Sequence, residues 1–430
     1  MNNINKLWIK SVSSMINGLR PLCQELYPDL SLLLNYSSKR RLNKAVNIDD
    51  FRKAAKMRAH PMVFGYLDGG ADGEVALRKS VEAYKDYDLY HSVLHGVCKD
   101  DIDLSTKILN IDSKLPFFIT SCAGQKMFHS QGEIATAKAA NKNGIPMALS
   151  QLTTSTFEEV NKEAPNHCKA LQLYVWRDKD LLSEVLENSR KNGFTSLVLT
   201  ADFSWVGNRE KETKTGFTIP PNYSLQQCMG AIKHPAWTFD YMSHEPYKYQ
   251  AIPHCDFPAE TLVDFIKQQM KPEFDWEDAK WLIKEWKKLG GDNVALKGVA
   301  NSNEARKAVE IGFDTIWVSN HGGRQLESSI PTINNISDIR NTLGKDVEII
   351  LDGGVRRGID VLKAICLGAD SVAIGRAYLY GLTAGGFEGV DKVIQILHRD
   401  VELSLGLLGC KNIQEVKDKS SELIVKNRFY

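Results

Sequence analysis

The sequence predicts an α/β protein built on one (β/α)8 TIM barrel, with a helical N-terminal segment and a long insertion after strand four. Three observations predict it. First, eight short β-rich runs alternate with longer helical patterns from Pro116 onward: Pro116–Ser121, Pro146–Ser150, Ala170–Val175, Ser196–Ala201, Asn293–Lys297, Asp314–Ser319, Val347–Asp352 and Asp370–Gly375. This alternation is how a parallel sheet with crossover helices reads, and the apolar, β-branched runs suit strands covered on both faces. Second, Gly193, Gly290, Gly312, Gly344 and Gly368 fall just after the helical stretches, where a left-handed C-cap is wanted. Third, polar residues gather at the C-terminal ends of the runs, where such barrels build their sites.

Between the runs, Asp180–Asn192 places Leu181, Leu182, Val185 and Leu186 on one helical face, and Ser302 is expected to cap the helix through Ala305, Val309 and Ile311. Residues 46–115 are expected to form helices that cover the barrel bottom or lean over its mouth. Residues 204–276 separate strand four from its helix. Structureless loops of that length are uncommon, and this one is rich in aromatic residues, unlike a Gly/Ser linker. The chain thus divides into an extension, 1–45, and a barrel domain, 46–430, with the insertion 204–276 inside it.

Of 430 residues, 43% are hydrophobic and 25% charged, which is ordinary for a globular protein with a large core. The net charge of +1 gives no argument for a nucleic-acid partner. The eight cysteines show no Cys-x-x-Cys and no zinc-ligand spacing, so free thiols in a reduced compartment and no metal are expected. Residues 1–24 carry Lys6, Lys10 and Arg20 without an acid, and Trp8, Val12, Met15, Ile16 and Leu19 recur at helical spacing. Such a stretch reads as an amphipathic anchor, an organelle-targeting segment, or an extension packed on the barrel.

The strand ends carry the chemistry. Asp352-Gly353-Gly354-Val355-Arg356-Arg357 after strand seven and Gly375-Arg376 after strand eight look like a phosphate site, because glycines expose backbone N–H groups and guanidinium groups bind phosphate in pairs of hydrogen bonds. His321 and Arg324 follow strand six, and Asp202 follows strand four. That set suits a base, a carboxylate-binding cation and a carboxylate that orients the imidazole. Lys297 ends strand five, where a cation stabilises negative charge developing on a cofactor or intermediate. A phosphate site on a barrel also suits an isomerase or lyase.

With these residues in view, the chain resembles the FMN-dependent 2-hydroxy acid oxidase/dehydrogenase family from about Ile48 to the end. The resemblance rests on Met62-Val63-Phe64-Gly65-Tyr66, Gln172-Leu173-Tyr174, Thr200-Ala201-Asp202, Leu296-Lys297-Gly298, the run from Val318 to Leu326 containing Ser319-Asn320-His321-Gly322-Gly323-Arg324-Gln325, and Asp352 to Gly358. It implies that His321 is the catalytic base, paired with Asp202. Arg324 and Tyr66 would bind the substrate carboxylate, Tyr174 the hydroxyl, and Arg209 would lie beside Asp202. Lys297 would steady the reduced flavin. Ser150, Gln172 and Thr200 would meet the flavin ring, with Ala123 near its N5. Ser319, Asp352, Gly354, Arg356, Gly375 and Arg376 complete the expected FMN site. Departures from the family's pattern are Ser121-Cys122 after strand one, Phe203-Ser204 after Asp202, Asn208 before Arg209, and Glu327. Leu152, at a pocket-lining position, suits a short substrate side chain.

The resemblance implies a small L-2-hydroxy acid substrate, most simply L-lactate, oxidised to the 2-keto acid, and a homo-oligomer. The branches differ in what reoxidises the flavin. The 45 residues ahead of the barrel are fewer than a haem domain of ordinary size, and Arg428-Phe429-Tyr430 is no peroxisomal address. His234-Pro235-Ala236-Trp237 with Asp240, then Phe274-Asp275-Trp276, is similar to the membrane-associated lactate and mandelate dehydrogenases. The expectation is therefore a quinone or cytochrome acceptor and a peripheral membrane contact through 225–276, on the cytoplasmic side, or a mitochondrial location if residues 1–24 are a transit segment. Outward aromatics, among them Trp237, Tyr241, Tyr249, Phe257 and Phe265, would form that contact; the other reading of the segment is a lid whose aromatics pack inward. An oxygen-using oxidase that makes hydrogen peroxide is the alternative.

Overall fold

Runs that are apolar on both faces fold as strands only if helices cover one side and other strands' side chains the other. A closed ring of strand–helix units does this. The computed structural model describes residues 2–218, 224–246, 248–253 and 268–427. Phe257 and Phe265 of the insertion lie outside them.

The eight barrel strands are β1 (Phe117–Ile119), β2 (Ala148–Ser150), β3 (Ala170–Leu173), β4 (Ser196–Thr200), β5 (Asn293–Val299), β6 (Thr315–Val318), β7 (Glu348–Asp352) and β8 (Ser371–Ile374). Every one falls on a run read from the sequence. All neighbours pair in parallel from β2 round to β8, and β8 pairs with β1 through Val372–Phe117 and Ile374–Ile119. The ring closes where Ile119 bridges Met147, its N–H donating to the Pro146 carbonyl at 3.1 Å.

Inside the ring Phe118, Ala148, Ala170, Val198, Ala295, Trp317, Ile350 and Ala373 interdigitate, alternating large and small. The bottom is plugged by a hairpin of strands Thr106–Ile108 and Ile111–Ser113, which inserts Ile108, Leu109 and Ile111 into that core. The plug is held by Glu348, which accepts from the Leu109 N–H at 2.9 Å and the Thr315 hydroxyl at 2.7 Å. Burial pushes the Glu348 carboxyl up to about 7. The folded state therefore holds a proton that the unfolded chain releases near its ordinary 4.5, so stability falls as pH rises through that window. Glu348→Gln, which mimics the protonated acid, is expected to raise Tm by about 2–4 °C at pH 8 and to leave it unchanged at pH 5. Equal shifts at both pH values in a thermal melt would refute this.

Ahead of the barrel lie α1 (Asn2–Lys44), α2 (Ile48–Arg58) and α3 (Pro61–Asp68). Asn47 caps α2 by accepting from the Asp50 N–H, and the pre-organised φ of Pro61 starts α3. The insertion folds into α4 (Glu210–Thr215), α5 (Leu225–Lys233) and α6 (Pro235–Met242) before α7 (Trp276–Lys288) resumes the repeat. The cap expected at Ser302 belongs to Asn301, whose side chain accepts from the Glu304 N–H; Ser302 is the first helical residue.

The insertion corrects a larger expectation. Trp237 and Tyr249 face the protein rather than solvent. The Trp237 indole donates to the Met127 carbonyl at 3.0 Å, and its ring stacks on Tyr241. Three residues along α6, Asp240 is buried against Arg58 at 2.9 Å and accepts from the Ser130 hydroxyl at 2.6 Å and the Tyr27 hydroxyl at 3.1 Å. One carboxylate thus ties α6 to α1, to α2 and to the loop after β1. Among the described residues, the exposed large apolar groups of the insertion are Trp205 and Val206 at its start and, on α5, Leu225, Met229 and Ile232, on one face at helical spacing. Among the described residues no helix is long and apolar enough to cross a membrane.

Candidate active site

A cavity opens at the C-terminal ends of the strands. His321 reaches it in a left-handed conformation, φ 55°, with its backbone N–H held by the Ser319 hydroxyl at 3.1 Å. Few residues adopt that conformation without such support. Its Nδ1–H donates to Asp202 Oδ1 at 2.9 Å, which leaves Nε2 as the free basic nitrogen. Burial lowers the pKa of His321, against the pull of Asp202. Burial works the other way on Asp202, but His321 and Lys297 outweigh it and hold the carboxylate ionised. The result is a neutral, oriented imidazole at neutral pH.

Asp202 reaches His321 because β5 is irregular. Its register with β6 shifts between Lys297 and Val299. At the shift Gly298 has φ 104°, and a Cβ there would lie 2.7 Å from the Asp202 side chain. Two residues after the inward-facing Ala295, strand alternation points Lys297 inward, where it pairs with Asp352 at 3.3 Å and donates to Ser319 at 3.0 Å. Burial would lower its pKa, but Asp352 and Asp202 keep it raised. The cation is therefore permanent.

Arg324 and Arg209 form the second cluster. Arg324 donates to the Tyr66 and Gly69 carbonyls at 2.7 and 3.1 Å, and its guanidinium lies over the Tyr66 ring at 4.7 Å. Its other terminal nitrogen binds Glu212 at 2.7 Å, and the same carboxylate oxygen stands 3.6 Å from Arg209. Glu212 was not among the sequence candidates. Its position one helical turn after Arg209 was the available signal. It offsets the repulsion between two cations that await a carboxylate.

Most of the expected residues line the cavity: Tyr66, Ala123, Gln172, Tyr174, Thr200, Arg209, Lys297, His321, Arg324, Asp352, Gly354, Arg356, Gly375 and Arg376. Ser150, Asp202 and Ser319 stand behind its wall. Ser150 donates to Gln172 Oε1 at 3.0 Å, and Ser319 to Asp352 at 2.7 Å. They orient the lining side chains. Gly354 is glycine for a packing reason: a Cβ would fall 1.9 Å from the Ser80 carbonyl. Phe203 and Cys122, departures from the family's pattern expected to bear on flavin potential or substrate size, also line the cavity, as does Phe128, to which sequence reasoning gave no role.

Comparison with known proteins decides the family. Residues 55–423 match the model of the FMN-dependent dehydrogenases. The chain belongs to the FMN-dependent dehydrogenase family. A putative L-lactate dehydrogenase of Mycobacterium tuberculosis is 33% identical over 404 residues, 94% of each chain. The 2-hydroxyacid oxidase 1 of Homo sapiens is 32% identical, over 90% of this chain and 98% of that one. Among solved structures, a monotopic membrane protein, (S)-mandelate dehydrogenase, superposes with a TM-score of 0.82 at 29% identity, over 89% of this chain and all of that one. A lactate oxidase of Pediococcus acidilactici gives 0.75 at 29%, over 90% and 96%.

The cavity of this FMN-dependent dehydrogenase fits its cofactor. Thr120 Oγ1, Gln172 Nε2 and Thr200 Oγ1 are buried polar atoms with no partner in the protein, and all three residues line the cavity. Such atoms are costly unless a ligand satisfies them. Arg376 spends bonds on the Leu67, Gly322 and Gly69 carbonyls, yet burial, with Arg324 adding to it, still lowers it to about 10. A phosphate beside it and Arg356 would reverse that cost. FMN, when bound, accepts the two electrons of the oxidation. The arrangement can grip a carboxylate between Arg324 and Arg209, accept a proton at His321 Nε2, and hold the resulting imidazolium against Asp202. Lys297 offsets negative charge gathering at the strand ends.

Proposed function

We propose that this FMN-dependent dehydrogenase oxidises L-lactate, or a 2-hydroxy acid with a similarly short side chain, and passes the electrons to a quinone or cytochrome at a membrane surface. The observation that carries the substrate class is the convergence of the His321–Asp202 pair and the Arg324–Arg209 pair on one cavity. A base and a carboxylate clamp are what a 2-hydroxy acid requires. Membership in the family removes the isomerase-or-lyase reading.

The acceptor proposal draws on α5. Its face of Leu225, Met229 and Ile232, followed by Lys233, suits a shallow contact with lipid head groups. The likeness to the monotopic mandelate dehydrogenase favours the same reading. The oxygen-using alternative is favoured by the oxidases among the relatives. Anaerobic bleaching of the flavin by a panel of L-2-hydroxy acids tests the substrate, and reoxidation by quinone or by oxygen, with peroxide measured, tests the acceptor. The holoenzyme is expected to co-sediment with anionic vesicles at low salt. Replacing Leu225, Met229 and Ile232 with Ser is expected to release it and to slow quinone reduction while bleaching by substrate is unchanged. Release without any effect on quinone reduction, or peroxide as the main product, would sink the membrane-acceptor reading. The expected homo-oligomer is part of the proposal and is read by light scattering of the same preparation.

A further inference from the structure

We infer that Phe203 sets the size of the substrate side chain. The inference rests on the reading of the site as one for 2-hydroxy acids. The reacting carbon of such an acid carries a carboxylate, a hydroxyl, a hydrogen and a side chain. Arg324 and Arg209 supply cations for the first, and His321 and Tyr174 meet the second. The reaction removes the third. The side chain is left with the apolar part of the lining, which includes Leu152, Phe128 and Phe203 beside Leu67, Cys122, Val355 and Leu379.

Of the two phenylalanine rings among these, Phe203 is the one packed on the catalytic groups. Its ring centroid is 4.8 Å from that of Tyr174 and 5.3 Å from that of His321, with the Arg209 guanidinium 5.9 Å away. Phe128 instead stacks on Tyr66 at 6.1 Å. A ring held between Tyr174 and His321 cannot swing aside without losing both contacts, and each such contact is worth more than its buried area alone. It is also tied by the chain itself to Asp202, whose carboxylate His321 holds. The wall is therefore rigid, and a branched or aromatic substrate side chain meets it while a methyl group does not. Phe203 is set by a single residue of sequence, so a change there alters specificity without rebuilding the barrel.

The test is steady-state kinetics of the holoenzyme with L-lactate, L-2-hydroxyhexanoate and L-mandelate. Phe203→Ala is expected to raise the ratio of kcat/KM for the long or aromatic acid over that for lactate by about 10-fold or more, the scale on which apolar pockets discriminate. Phe203→Trp is expected to lower the same ratio. Flavin content and Tm, measured alongside, report that each variant is folded and loaded. If the ratio stays within about twofold in both variants, or all three acids lose activity by one common factor, Phe203 merely supports the His321–Asp202 pair and the inference is overturned. Lactate failing as a substrate of the parent enzyme overturns the preceding reading instead, and the ratio is then taken over L-2-hydroxybutyrate as the short acid.

Discussion

His321→Gln is expected to retain FMN and the fold while substrate-driven flavin reduction slows by about 100- to 10,000-fold, the range for loss of a general base. Gln keeps a hydrogen-bonding side chain on the strand-six loop but has no nitrogen that takes a proton. The cavity walls that would meet the flavin come from other strand ends, Gln172, Thr200 and Lys297 among them, so cofactor content separates lost chemistry from lost structure. The pH dependence follows from the same geometry. Burial lowers the pKa of His321 in the parent, and the group acts as a base only when neutral. kcat/KM is therefore expected to rise with pH along an acid limb below the ordinary 6.5 of histidine and to be flat above it. Asp202→Asn removes the charge that supports the imidazolium, which moves the limb further down and lowers the plateau. Stopped-flow bleaching across pH 4.5–8 checks both. An undiminished rate in His321→Gln would remove His321 from the role of base.

The barrel was legible because its strands are read twice. A run apolar on both faces marks a covered strand, and the Gly or capping residue after the next helix marks where the following one starts. Hence all eight runs fell on observed strands, while the three-residue strands of the bottom plug did not register. At the site, strand ends told which side chains face the cavity: His321, Lys297 and Arg324 stand where position alone put them. Contacts across the sequence were not legible. Glu212 meets Arg324, 112 residues away; its spacing from Arg209 hints at that local pair but not at this distant one. Phe203 carries no polar group to mark it as part of a site. The insertion shows the limit most plainly. Its composition marked it as apolar, but composition does not tell which way a ring points. The spacing of Trp237 and Asp240, three residues apart on one helical face, held the answer: an indole and a carboxylate turned to the same side need partners inside the protein.

That face carries the largest stability effect expected. Asp240 is 3% exposed and Arg58 2%. Burial works against the carboxylate's charge, but His129, Arg58 and the hydroxyl and amide donors around it hold its pKa well below the ordinary range. Arg58 also donates to the Phe128 and Thr383 carbonyls at 3.3 and 3.2 Å, so the guanidinium is fixed where it stands. Asp240→Asn leaves it there without a counter-charge and is expected to cost about 3–5 kcal/mol. Replacing both members, Arg58→Met with Asp240→Leu, removes the desolvated charge altogether and is expected to recover at least half of that loss. A depressed carboxylate contributes stability that is present above its unfolded pKa and lost as pH falls through the folded one. The parent's advantage over Asp240→Asn should therefore be full at pH 7 and shrink only in strong acid. Denaturant midpoints at pH 7 and pH 3 measure it. The consequence reaches the site, because Ser130, bound to the same carboxylate, belongs to the loop after β1 that carries Ala123 into the cavity. Asp240→Asn should thus loosen flavin retention as well as the insertion. A single variant that costs under about 1 kcal/mol and keeps its flavin would show that α6 is held by Trp237 and its apolar neighbours instead.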